Sequence, residues 1–405
     1  MLLRAILSIL LLLEAFQAMA DGMSFQVIGA SADVSAGGQR AVLWLRDGNW
    51  ELHIQPVFDR QAGAAAWVVP FPVRPEVHPG DADFFDELEI LTAPVFMKVC
   101  ETSNGGHWSC FGCMGSDAGR LGTEQHGEAF VHLWEHGTVG DLDYSIVSAA
   151  DGESLVAWLQ DEGYAAPDGL AAILVDYETE GEFFFAARLS SEADPAKPLA
   201  PVRFVLPGMA DPAYPLRMTA LGVAAGQGLE LTLWVIFPGQ TGATAYLPAN
   251  RNVVVIDGNP EDAPAFEAAL DKLYESHPDS LVALFGDVLN GRSEQWGTVC
   301  SGIACVSFEE LGIKAPAVWS QPVQEIFYNP FWVSRYQARL SATAMASDLI
   351  FEKGDRTNLQ YLDRVYVKYT CDEELAGIGW LLVLAAGLGL LRRMLCNRKK
   401  RAPSA

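Results

Sequence analysis

Arg40-Ala-Val-Leu-Trp-Leu45 and Trp50-Glu-Leu-His-Ile-Gln55, separated by Arg46 and the Asp47-Gly48-Asn49 triplet, decide the fold class of this chain. Both runs are rich in strand-forming residues, and the polar triplet between them is tight-turn chemistry, so together they read as a β-hairpin. Ala64 to Val69 supplies a third strand, closed by Pro70-Phe71-Pro72 and Pro75. Further strands are expected at Ala129–Trp134, Tyr144–Ser148, Glu182–Leu189, Val202–Leu206, Leu216–Val223 and Leu229–Phe237. Short helices interrupt them. One covers Phe84 to Leu91. A second is capped by Asp151 and carries Leu155, Trp158 and Leu159 on one face. A third starts at Asp168, with Leu170, Ile173, Leu174 and Tyr177 at helical spacing.

After Asn252–Ile256 the pattern turns helical. Phe266, Leu270, Leu273 and Tyr274 form one amphipathic face; Leu281, Leu284, Phe285 and Val288 form the next. Phe331–Leu340 and Tyr361–Tyr369 return to strand, with a short helix from Ser341 between them. The fold expected is α+β. A mainly antiparallel, β-sandwich-like body (21–250) carries inserted helices, a more helical section (251–374) completes it, and one C-terminal transmembrane helix follows (375–395).

That helix rests on Leu375 to Leu391, LAGIGWLLVLAAGLGLL, 17 residues without a charge. Six basic residues follow (Arg392, Arg393, Arg398, Lys399, Lys400 and Arg401), while Met394 and Leu395 can extend the apolar run to bilayer length. Residues 1–20 read as a secretory signal peptide: Arg4, then the apolar Ala5 to Leu13, then Ala18-Met19-Ala20 as the cleavage site. The basic tail (396–405) is expected in the cytoplasm by the positive-inside rule, with the body outside, periplasmic or at the cell surface. A short apolar run with an arginine cluster is also the pattern of processed sorting tails, in which the span is temporary.

Charge agrees with an outside body. The chain carries a formal net charge of −24, and residues 21–374 hold 20 Lys+Arg against 50 Asp+Glu, about −30. Such a surface is repelled by phosphate backbones, which excludes nucleic acid as a partner class. Of seven cysteines, Cys396 lies beyond the span; the other six, Cys100, Cys110, Cys113, Cys300, Cys305 and Cys371, lie on the oxidising side as disulfide candidates. Proximity suggests Cys300 with Cys305 and bridges within Cys100, Cys110 and Cys113, with Cys371 tying back to that cluster.

His132-Leu-Trp-Glu-His136 matches the H-x-x-E-H string of inverted zinc peptidases. On a helix His132 and His136 reach one metal and Glu135 polarises its water. On a strand they lie about 13 Å apart and cannot. Cys100, His107, Cys110 and Cys113 resemble half of a zinc finger, and the compartment favours disulfides there. No phosphate loop, dinucleotide fingerprint or nucleophile elbow occurs, and no cofactor is expected.

GQRAVLWLRDG, WELHIQPVFDRQAGAAAWVVPFPVRPEV, GDLDYSIVSAADGESLVAWLQDEGY, YPLRMT and WVSRYQARLSATAMASDLIFE together resemble the bacterial family called domain of unknown function 2330. The likeness runs from about Gln39 to Glu352 and implies a secreted, often C-terminally anchored protein with no established activity. The sequence therefore points to a tethered, non-enzymatic protein that binds an envelope protein or glycan. The alternative is a zinc-dependent hydrolase using His132, Glu135 and His136.

Overall fold

The computed structural model describes residues 23–26, 38–55, 65–99, 131–178, 182–190, 199–222, 228–239, 244–257, 260–289, 298–301, 304–309, 313–355 and 365–369. The signal peptide, the apolar run at 375–395, the basic tail, and Cys100, Cys110, Cys113 and Cys371 lie outside the described residues. No described helix is long and apolar enough to cross a membrane.

The fold is mixed α+β and dominated by strands, with six helices among the described residues. An eight-stranded sheet runs in the order Val253–Val254, Leu281–Val288, Phe331–Leu340, Leu229–Pro238, Gly38–Arg46, Asn49–Gln55, Val202–Leu206, Glu76–Pro79. A five-stranded sheet runs Met23–Gln26, Ala65–Phe71, Phe183–Leu189, Leu142–Ser148, His132–Val139. Most pairs are antiparallel. The expected hairpin is present, with Leu45 opposite Trp50 and both Asp47 and Gly48 at positive φ. Within the large sheet Gly38–Arg46 also pairs in parallel with Leu229–Pro238.

The inner faces of both sheets share one core that includes Leu43, Ile54, Val235, Trp67, Phe185 and Phe204. Aromatic rings join them: Phe185 to Phe204 at 4.9 Å, Phe71 to Phe204 at 4.7 Å and Trp67 to Phe185 at 5.3 Å. The outer face of the large sheet is covered by helices Ala82–Thr92 and Gln321–Tyr328, which bury Val42, Trp44, Trp234 and Val333. Helices Gly152–Asp161 and Leu170–Glu178 cover the outer face of the small sheet over Val68, Val147 and Phe184. Alternate residues of Ala41 to Trp44 thus enter two cores, which is why the strand reads as a continuous apolar run.

The same double burial corrects one expectation. Leu281–Val288 is a strand, antiparallel to Phe331–Leu340 with an irregularity between Ala283 and Phe285. Its first five residues are all buried, so apolar positions fall at helical as well as strand spacing, and position between two strands decides. Leu216–Val223 is corrected too. Leu216 and Arg217 give their amides to a carboxylate, and Thr219–Gly222 is a single helical turn. The Asp151 cap forms as read, its Oδ1 accepting from Ser154 N at 2.6 Å; Asp81 and Asp262, not anticipated from the sequence, cap Ala82–Thr92 and Ala263–Ser276.

Phe204, on the large sheet, packs against three rings of the small sheet, so Phe204→Ala is expected to cost about 3–5 kcal/mol in urea unfolding. Val318→Ala, at a residue 76% exposed, is expected to stay within about 0.5 kcal/mol.

Candidate functional site

His132 and His136 stand on strand His132–Val139, at the end of the five-stranded sheet, paired with Leu142–Ser148. The His132 ring lies edge-on to Trp134 at 4.4 Å. Glu135 is committed elsewhere: its Oε2 accepts from Arg74 Nη2 at 3.1 Å and its Oε1 from the Tyr144 hydroxyl at 2.7 Å. His136 lines a separate cleft with Asp143, Trp158 and Arg188. Extended backbone does not gather the three residues, and among the described residues no cluster of three or more metal-ligating side chains occurs. Cys300 and Cys305 are brought opposite each other across the antiparallel pair Thr298–Ser301 and Ala304–Ser307.

Two other places gather polar chemistry. The first is a groove of about 440 Å³ at one end of the two sheets. Its apolar wall includes Phe71, Pro72, Met209 and Ile350; its polar wall includes Tyr177, Arg217 and Asp348, with Glu182 and Asp211 beside them. These come from four distant segments, among them WVVPFP, YPLRMT and ASDLIFE. Asp348 Oδ1 accepts from the Leu216 and Arg217 amides at 2.7 and 2.9 Å. Its Oδ2 accepts from Arg217 Nε at 2.8 Å and Nη2 at 2.7 Å. The Tyr177 hydroxyl adds a further bond at 3.2 Å, while the Arg217 guanidinium lies 3.8 Å from the Tyr177 ring centroid. Burial, then the neighbouring Asp348 charge, push the Tyr177 phenol far above its ordinary range, so it stays a donor. Every oxygen of Asp348 is engaged, which suits it to hold the groove's shape and leaves no lone pair poised for acid–base work.

The second is a cavity of about 750 Å³ under the Asp47-Gly48 turn. Glu51 and His53 point the same way from strand Asn49–Gln55, two residues apart. Both are buried, at 5% and 3% exposure. His53 Nε2 lies 3.0 Å from Glu51 Oε2, and Arg203 Nη1 donates to Glu51 Oε1 at 2.9 Å. Arg46 Nη2 pairs with Glu325 at 2.6 Å, tying helix Gln321–Tyr328 to the sheet. Burial holds the His53 imidazole below its ordinary 6.5, against the opposing hydrogen bond and charge of Glu51. Burial raises the Glu51 carboxyl, but the hydrogen bond and charge of His53, then Arg203 and Arg46, outweigh it and leave it below 4.5.

The residues that matter here escape sequence reading because their partners are remote: Arg203 lies 152 positions from Glu51, and Asp348 lies 131 from Arg217. The one local signal is Glu-x-His on a strand, which sets an acid and an imidazole on one face.

Asp348→Asn is expected to destabilise the fold by about 3–5 kcal/mol, because the mostly buried Arg217 loses its counter-charge. Arg74→Gln, at an exposed pair, is expected to cost less than about 1 kcal/mol in the same unfolding assay. The cavity sets a pH dependence. His53 has a folded pKa below its unfolded one, so below about pH 6.5 the unfolded chain binds protons that the fold refuses. Glu51 acts in the same sense below about pH 4.5. Both contributions are complete above those values and are lost as pH falls. The urea midpoint is therefore expected to drop between about pH 7 and pH 5, and His53→Gln to flatten that slope.

No curated protein and no solved structure matches this chain. A family model does, over residues 17–379, which takes in both cavities and every segment that forms them. The chain belongs to the family described as an uncharacterized protein conserved in bacteria, domain of unknown function 2330.

Proposed function

We propose that this protein is a non-enzymatic binding protein of the bacterial envelope, its β-sandwich-like body outside the cytoplasm and tethered by the C-terminal apolar run. The observation that carries the reading is the groove of about 440 Å³ in which Tyr177, Arg217 and Asp348 already satisfy one another beside an apolar wall. A pre-formed, mostly apolar concavity with few fixed polar groups is what ligand recognition needs. Asp348 itself is committed to the Leu216 and Arg217 amides, which supports a shape-holding role for it in the groove.

The cysteines support the compartment. In a two-residue hairpin loop the second pair out is a non-hydrogen-bonded pair, where Cα atoms approach to about 4.5 Å, within disulfide range. Cys300 and Cys305 occupy that pair. Val99 and Tyr369 are register partners in a parallel pair, and Cys100 and Cys371 follow them in the sequence by one and two residues. That register supports a Cys100–Cys371 bridge, closing the body just before the tether.

The reading is tested on the full-length chain in its own membranes. It is expected to sediment with membranes, to be released by truncation before Leu375, and to give Cys300–Cys305 and Cys100–Cys371 peptides under non-reducing digestion. A photo-crosslinking side chain at Ile350, 40% exposed in the groove, is expected to capture an envelope protein or glycan. A full-length chain that stays soluble with free thiols removes the tether, and an Ile350 probe that captures no envelope component removes the binding role.

A further inference from the structure

The outer face of the five-stranded sheet carries two kinds of surface. Val147, Phe184 and Ala186 pack beneath helices Gly152–Asp161 and Leu170–Glu178. By strand alternation Asp143, Ser145 and Arg188 share that face. The register sets Thr138 opposite Asp143, Asp143 opposite Arg188, and His136 opposite Ser145. Five polar side chains from three neighbouring strands therefore lie in two rows, about 5 Å apart from strand to strand. They line a cleft of about 280 Å³, walled by Trp158 of helix Gly152–Asp161 and by Glu162 and Tyr164 just beyond its end.

These groups face solvent and keep bonding capacity. His136, Glu162 and Arg188 are exposed, and Asp143, Ser145 and Trp158 are half-buried. Asp143 Oδ1 accepts from the Thr138 hydroxyl at 3.0 Å, and Arg188 Nη1 donates to the Glu162 carbonyl oxygen at 3.3 Å. Beyond those two bonds, the Asp143 carboxylate, the Arg188 guanidinium, the His136 ring and the Glu162 carboxylate make no hydrogen bond or ion pair among the described residues. The Trp158 indole is steadied by the buried Tyr164 ring, nearly parallel to it at 27° with centroids 6.4 Å apart.

Arg188 offers N–H groups, Asp143 and Glu162 offer carboxylate oxygens, and neutral His136 offers one donor and one acceptor. A metal ion would use the carboxylates but meet the Arg188 charge. A phosphate would use Arg188 but meet two carboxylates. Neither uses an aromatic wall. A sugar ring carries adjacent hydroxyls that both donate and accept, and an apolar C–H face that packs on an aromatic side chain, so it engages all of these groups. A volume of about 280 Å³ is small for a ligand cleft and suits one ring, with the rest of a chain left in solvent.

We propose that this cleft binds one ring of a neutral oligosaccharide, its hydroxyls on Arg188, Asp143, Glu162 and His136 and its C–H face on Trp158. The inference goes beyond the groove reading: it assigns a second site with its own ligand class and requires neither the groove nor the tether.

The test uses the full-length protein in a detergent without a sugar headgroup. An array of neutral, acidic and phosphorylated oligosaccharides is probed first, and the strongest ligand, calcium ions and inorganic phosphate are then titrated calorimetrically. Saturable binding of a neutral oligosaccharide is expected, with no response to calcium or phosphate. Arg188→Gln and Asp143→Asn are expected to weaken it by about tenfold each, the loss of one or two charge-assisted hydrogen bonds. Trp158→Ala is expected to lose binding, while Trp158→Phe keeps a ring and retains most of it. Val318→Ala, outside the cleft, is expected to bind as the unaltered protein does. An array without a neutral ligand overturns the proposal, as does binding of calcium or phosphate in place of sugar. Neutral binding left unchanged by both Arg188→Gln and Asp143→Asn also overturns it. Sugar binding that Arg188→Gln weakens, beside an Ile350 probe that captures nothing, leaves this cleft standing and removes the groove. Capture at Ile350 with no neutral sugar on the array does the reverse.

Discussion

The eight-stranded sheet has no solvent face along its middle, and the architecture follows from that. Val42 and Trp44 point into helices Ala82–Thr92 and Gln321–Tyr328, while Ala41 and Leu43 point into the core shared with the second sheet. Burying both faces of several central strands removes far more apolar area than an open sheet of the same length would. It also demands layers on both sides. The outer helices are therefore part of the fold's stability, and their connections carry polar ties that cross the layers. The Trp234 indole donates to Thr92 Oγ1 at 3.0 Å, and the Ser320 amide donates to Glu87 at 2.9 Å.

Much of this is legible in the sequence wherever one element is decided by its own residues. The Asp47-Gly48-Asn49 turn, the Asp151 cap and the Leu170–Tyr177 face are local chemistry, and each forms as its residues dictate. Leu281–Val288 is not local. Its buried positions fit helix and strand periodicity alike, and only its place between Val253–Val254 and Phe331–Leu340 selects strand. Leu216–Arg217 is similar: an extended reading is natural until the Asp348 carboxylate, 131 positions away, draws both amides into a turn.

The sites are less legible than the fold for the same reason. The string His132–His136 is conspicuous as letters, but extended backbone spreads it along an edge and Glu135 serves Arg74 and Tyr144. Glu51 and His53 read as unremarkable strand residues, because what distinguishes them is a guanidinium from Val202–Leu206 and a helix that arrives after residue 320. Motif spacing reports chemistry held within one element. Here the chemistry is assembled between elements.

The parallel pair Val95–Val99 and Val365–Tyr369 gives the body a mechanical direction. The two strands run the same way, and the first is held at its start by the helix that precedes it. A pull arriving from the C-terminal side is therefore carried along the length of both strands, and their ladder bonds share the load in shear. An antiparallel closing strand would be peeled bond by bond from its end. In that geometry a force on the end of Val365–Tyr369 would meet the whole ladder at once.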